Sequence, residues 1–199
     1  MRKVWSIFLV LAVLAPFVLA DKTGMLEERL KKRVQEVVDR LDGVLGLAVK
    51  DIRTGKTFFL NEKEIFPQAS CIKIAILFEA FKQAEEGKLD LKEFVEIKES
   101  EKVGGSGVLL HLGRPSISLS WRDLCVLMMA LSDNTATNLL IARVGMENVN
   151  QRMEGLGFVN TKLRRRMMDG QAAREGRENL STPYETMLLL EKLVSGEIL

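Results

Sequence analysis

One histidine, two cysteines, one tyrosine and four prolines in 199 residues leave little material for several kinds of site. His111 has no partner at ligand spacing and there is no Cys/His metal pattern, so a metal centre is not expected and His111 reads as a structural or surface residue. Cys71 and Cys125 cannot make a disulfide framework. Each lies in an apolar run, where free cysteine packs as a small hydrophobe, and two buried free thiols are expected. No charge excess is present either. Arg2 and Lys3 belong to an N-terminal segment expected to be removed, and without them basic and acidic residues balance. That balance gives no electrostatic reason to expect nucleic acid.

The N-terminal segment starts Met1-Arg2-Lys3 and runs apolar from Val4 to Ala20, the layout of a secretory signal, with Ala20 at a plausible cleavage point. Pro16 interrupts the run and its length falls short of the roughly 20 residues a spanning helix wants, which argues against a retained anchor. Residues 1–20 are therefore expected as a signal and 21–199 as one exported domain, periplasmic or extracellular, with no membrane attachment after cleavage and acting as a monomer.

Apolar residues at three- and four-residue steps from Leu26 to Leu41 predict a helix over 25–41. Val44–Ile52 reads as a strand, Arg53-Thr54-Gly55-Lys56 as a turn and Thr57–Leu60 as a returning antiparallel strand. A helix is expected from Ser70 to Glu86, apolar nearly all round in its first half and so buried. Ser120-Trp121-Arg122-Asp123 resembles a capping box opening a helix to Leu131, and helices follow over Thr135–Val144 and Glu147–Leu156. Segment 160–181 is polar and aperiodic, a surface loop, and Thr182-Pro183 starts a last helix that Gly196 closes.

Of ten serines, only Ser70 has a lysine three residues on. Chance alone supplies about one Ser-x-x-Lys in a chain this long, so context must carry the argument. Between Ala69 and Leu77 the only charge is Lys73, on a helix expected to be buried, where an unpaired ammonium is expensive. Positions three apart on a helix are neighbours, so Lys73 can reach the Ser70 hydroxyl, and desolvation lowers its pKa toward that of a usable base. The bland alternative is a snorkelling lysine on a half-exposed helix. Ser132-Asp133-Asn134 is a second anomaly, three polar residues between apolar helices. A serine there can relay a proton to a leaving nitrogen, an asparagine amide can hold an amide carbonyl, and Asp133 reads as a brace for the turn.

Together these motifs resemble those of the class A β-lactamases, which carry Ser-x-x-Lys and Ser-Asp-Asn followed by Lys-Thr-Gly. Trp121-Arg122-Asp123-Leu124-Cys125, Ser132 through Leu140 and Ser181-Thr182-Pro183 also fall in family order and spacing. The resemblance implies an α/β (α+β) fold with a mainly helical lobe and an antiparallel sheet lobe. It implies that Ser70 is acylated, that Lys73 helps deprotonate it, that Ser132 relays a proton to the lactam nitrogen and that Asn134 contacts substrate and Lys73. No cofactor is implied. The expected partner is a small molecule, a β-lactam or a peptidoglycan-like peptide. A cell-wall D,D-peptidase or esterase, a slowly deacylating β-lactam sensor and an inactive scaffold are the alternatives.

Two departures qualify this. No Lys-Thr-Gly strand follows the last helix before Leu199, and Lys22-Thr23-Gly24, next to the signal, is no substitute. The family's C-terminal strands and closing helix are missing too, so a fragment or truncated product is expected, its sheet reduced to the hairpin. The second departure lies in the loop, where the family's deacylating glutamate would fall near Met167, with Gln171 in place of asparagine. Asp169 is the nearest carboxylate, either a catalytic base or a loop brace paired with an arginine.

Overall fold

A computed structural model describes residues 24–197 apart from Arg114. It divides into two compact units, one ending at Leu45 and the other starting at Gly46. The first contains helix α1, residues 24–38, whose exposed face carries the pairs Lys31–Glu28 and Arg33–Glu36. The expected signal, residues 1–20, and Lys22-Thr23 lie outside the described residues.

The second unit opens with β1 (Leu47–Lys50) paired antiparallel to β2 (Thr57–Leu60), with Leu47 opposite Leu60 and Lys50 opposite Thr57. β1 is shorter than the strand expected over 44–52, and its end has a local cause. The Asp51 carboxylate accepts from the backbone N–H groups of Arg53 and Thr54 at 2.9 and 3.2 Å, turning the chain before Gly55 takes φ +72°.

The helices follow the apolar pattern closely. A 3₁₀ turn over Ala69–Ile72 leads into α2 (Lys73–Glu85), so the α-helix begins three residues later than Ser70, where it was expected. α2 buries Ile72 at its entry, then Ala75, Ile76, Phe78 and Ala80, and each large apolar side chain so buried contributes about 1.5–3 kcal/mol. α3 (Trp121–Ala130) starts with the expected capping box, Ser120 and Asp123 each serving the other's backbone N–H. α4 (Asn134–Val144) and α5 (Met146–Gly155) bury Leu140, Ile141, Val149 and Met153 in the same core.

Segment 160–181 is not wholly irregular: it holds a one-turn helix, α6 (Gly170–Arg174). The last helix, α7 (Pro183–Ser195), is capped by the Thr182 hydroxyl and closed by Gly196 at φ +70°.

Two further strand pairs correct the expectation that the sheet holds only the hairpin. β4 (Phe94–Lys98) pairs with β5 (Ser116–Ser120), and β3 (Phe66–Pro67) with β6 (Leu180–Ser181), both antiparallel. The whole is a mixed α/β fold, largely helical with small antiparallel sheets, as expected. β3–β6 brings the end of the 160–181 loop to within a few residues of Ser70. Between β1, β3 and α7 runs a trough of about 570 Å³, with Leu47, Val49, Met187, Leu190 and Val194 in its walls.

Candidate active site

Ser70 sits exposed in the 3₁₀ turn, preceded by Ala69 in left-handed backbone at φ +44°, and Lys73 starts α2 one turn later. Lys73 is 2 % exposed. Its Nζ lies 3.3 Å from Ser70 Oγ, 2.7 Å from both Ser132 Oγ and the Ser132 carbonyl, and 3.1 Å from Asn134 Oδ1. Ser132 Oγ donates to Ser70 Oγ at 2.9 Å, which closes a triangle of two hydroxyls and one amine. Four of the five residues singled out from the sequence are thus brought together from two segments about sixty positions apart.

The energetics of this cluster centre on the lysine. Burial pushes the Lys73 pKa down from 10.5, and the nearby Asp133 charge only partly opposes it. Asp133 makes no bond to the amine. Its carboxylate accepts from the backbone N–H groups of Val108, Leu109 and Ala136 at 2.7, 2.9 and 3.0 Å, capping α4 and fastening the 108–109 backbone to it. A desolvated amine held between two hydroxyls can take a proton from one and pass it to the other.

A segment that sequence reasoning passed over completes the surroundings. Asn134 Nδ2 donates to the Gly104 carbonyl at 3.0 Å, Asn134 N to Ser106 O at 3.0 Å, and Val103 N to Thr135 Oγ1 at 3.0 Å. This close approach explains the glycines: a Cβ on Gly107, at φ +111°, would lie 2.2 Å from Asp133 Oδ2. The run Gly104-Gly105-Ser106-Gly107 was the available signal.

Asp169 is placed differently. It is exposed, and its carboxylate accepts from Ala172 N at 2.9 Å as the N-cap of α6. The hollow it lines is walled by Val103, Asn138, Met167 and Met168, and neither Ser70 nor Lys73 takes part. The printed arginine pairing in this loop is Arg165 with Glu178 at 2.8 Å. Met167 is buried, its backbone N–H and carbonyl both bonded to the Asn138 amide. Of the two cysteines, both free, only Cys125 is buried; Cys71 is exposed, because the 3₁₀ turn rotates it out beside Ser70, which corrects the expectation of two buried thiols.

A mixed α/β fold that holds a buried lysine against a serine on the entry turn of its central helix defines a class that the comparisons make specific. Residues 29–199 match the model of the beta-lactamase enzyme family, and the chain belongs to that family. It is 28% identical over 174 residues to beta-lactamase CARB-3 of Pseudomonas aeruginosa, covering 86% of this chain and 60% of that protein. With beta-lactamase SME-1 of Serratia marcescens it shares 25% identity, covering 84% of this chain and 58% of the other. Among solved structures, a beta-lactamase from Sphaerobacter thermophilus superposes with a TM-score of 0.74 at 34% identity, over 79% of this chain and 59% of that one. PBP-A gives 0.75 at 29%, over 86% and 63%. The chain spans about three fifths of the length of the relatives it matches.

Proposed function

We propose that this chain carries the acylation machinery of a serine β-lactamase-like hydrolase, an exported domain over residues 21–199 working as a monomer once residues 1–20 are removed. The observation that carries the reading is Lys73, buried and bonded at once to the Ser70 hydroxyl, the Ser132 hydroxyl and the Asn134 amide oxygen. In this scheme the Ser70 proton passes to Lys73 Nζ as Oγ attacks the lactam carbonyl. The C–N bond breaks, and the nitrogen takes a proton from Ser132 Oγ, which Lys73 replaces. Asn134 Nδ2, with one hydrogen given to Gly104, offers the other to a substrate amide carbonyl.

A second reading, a cell-wall D,D-peptidase or a slowly deacylating β-lactam sensor, is favoured by one observation. The carboxylates next to the cluster are committed: Asp133 to three backbone N–H groups and Asp169 to the cap of α6. Releasing the acyl group needs a base within about 2.6–3.2 Å of a water. The likeness to PBP-A is compatible with this reading.

Intact-protein mass spectrometry after incubation with benzylpenicillin tests the proposal. We expect one adduct, mapped to Ser70, absent in Ser70→Ala and formed about 10²–10⁴-fold more slowly in Lys73→Ala. An undiminished adduct in Ser70→Ala refutes the assignment. A burst of product with a chromogenic cephalosporin, followed by a slow phase, favours the sensor or peptidase reading, and rapid steady turnover favours the hydrolase.

A further inference from the structure

Only four non-glycine residues among those described have positive φ, and three of them, Ala69, Ser132 and Met168, surround the lysine cluster. Ala69 precedes the candidate nucleophile and Ser132 belongs to the triangle, which leaves Met168, at φ +63°, without an assigned part. Backbone strain of this kind costs about 1–3 kcal/mol and persists only where neighbours impose it. Here they do. Met167 is held by both ends of the Asn138 amide, Asp169 caps α6, and Gly170 N donates to the Met168 carbonyl at 3.0 Å.

The outcome runs against what stability alone would choose. Met167 goes into the core at 8 % exposure, while Met168 is turned out at 58 %, an apolar side chain presented to solvent in a strained conformation. Its direction is fixed by Gly105. A Cβ added there would meet Asn134 Nδ2 at 2.6 Å, Met168 Sδ at 3.0 Å and Met168 Cε at 3.7 Å, so thioether and amide converge on one glycine. Gly105 has φ +84° and no side chain to part them.

We infer that Met168 is a specificity-determining residue, its thioether forming the apolar wall that receives the substituent on the substrate's side-chain amide. The inference rests on the proposed function: if Asn134 Nδ2 holds that amide carbonyl, the group bonded to the carbonyl carbon lies one bond further on and meets the methionine beside it. A flexible, polarizable thioether suits an aryl or alkyl group of variable shape. It offers nothing to a polar or very short one.

The test compares second-order acylation rates of Ser70 in the full chain with two probes. Benzylpenicillin carries a phenylacetyl group; 6-acetamidopenicillanic acid keeps the same amide carbonyl but ends in a methyl. The parent is expected to prefer benzylpenicillin by about 10-fold or more, the discrimination a hydrophobic pocket gives for a few carbon atoms. Met168→Leu should keep the preference. Met168→Asn, which tolerates positive φ, and Met168→Gly, which relieves it, should both bring the ratio close to one. Because the readout is a ratio within one protein, a loss of folded material lowers both rates and leaves it unchanged. A preference that survives in Met168→Asn and Met168→Gly, or a parent with none, overturns the inference. No Ser70 adduct with either probe in the parent defeats the proposed function, and the inference with it.

Discussion

At the scale of single residues, the lysine and the two cysteines make claims that can be measured. Lys73 holds its proton less tightly than a free lysine because its ammonium would be desolvated. With the folded pKa below the unfolded 10.5, the native state binds fewer protons than the unfolded chain between the two values. Stability from this group is therefore full above 10.5 and falls as pH drops through the folded pKa. Acylation runs in the same direction, since only the neutral amine accepts the Ser70 proton. The acylation rate should rise with pH to a plateau whose midpoint lies below 10.5, and Lys73→Arg, which cannot deprotonate, should remove both rate and inflection. A midpoint at or above 10.5 would show that burial does not tune the amine. The thiols differ for the same reason: burial pushes Cys125 up to about 11, whereas Cys71 is exposed. A maleimide should label the native protein once, at Cys71, and Cys125 only after denaturation. The spacing Ser70-x-x-Lys73 was readable because a lone charge in an apolar run announces itself. The exposure of Cys71 was not, because it depends on a 3₁₀ turn that periodicity takes for α-helix.

At the scale of elements, what could be read in the sequence is what local chemistry decides. α3 and α7 were legible because the Ser120–Asp123 box and Thr182-Pro183 fix their starts within the sequence itself. β4 was not: Phe94-Val95-Glu96-Ile97-Lys98 alternates weakly, its Phe94 is 68 % exposed, and its partner Ser116–Ser120 is rich in serine. Only pairing over some twenty residues makes either a strand. The 103–107 segment escaped notice because its contribution to the site is made by backbone groups that meet Asn134 and Thr135. α6 sharpens the question of Asp169. An N-cap carboxylate contributes about 1 kcal/mol, and asparagine caps as well as aspartate. Asp169→Ala should thus lower stability by about that amount while Asp169→Asn leaves it unchanged, read by urea unfolding. If Asp169→Asn instead slows release of the penicilloyl group with stability intact, the residue is a base as well as a cap. A larger effect is expected at Arg152, which bonds Glu79 and Glu86 at 2.7 and 2.8 Å. Glu79 is 2 % exposed, and Arg152→Ala leaves it only the Gln83 amide. Removing one partner of a buried pair costs about 3–5 kcal/mol. A loss near the lower end, about 3, is expected here because Arg152 itself is partly exposed, and a change under 1 would show that water replaces it readily.

At the scale of the whole molecule, the second unit has two unequal sides. The helical side is closed: α2 buries a continuous apolar core with α3, α4 and α5, and no buried side-chain polar atom among the described residues lacks a partner. The side formed by β1 and α7 is open. β1 pairs with β2 alone, so its other edge presents unpaired backbone groups, and beside it Val49, Ile52, Leu190 and Val194 are 47, 56, 45 and 71 % exposed. Lys50 and Glu191 form an ion pair that crosses this face, yet the trough around them is mostly apolar. A two-stranded sheet is marginal alone, and an open edge flanked by apolar surface is a template for association. Residues 21–199 should therefore self-associate in a concentration-dependent way, at low micromolar to millimolar protein, through this face rather than the helical one. Placing a charge on the edge should suppress it, since lysine on an exposed strand edge blunts pairing. The comparison is between the parent, Val49→Lys in the trough and Val126→Lys, a matched charge on the exposed face of α3 where Val126 is 56 % exposed. Light scattering should show Val49→Lys more monomeric than the other two, with circular dichroism unchanged. Equal association in all three, or a parent monomeric at every concentration, would mean that the β1 face is not sticky in solution despite its exposed apolar area.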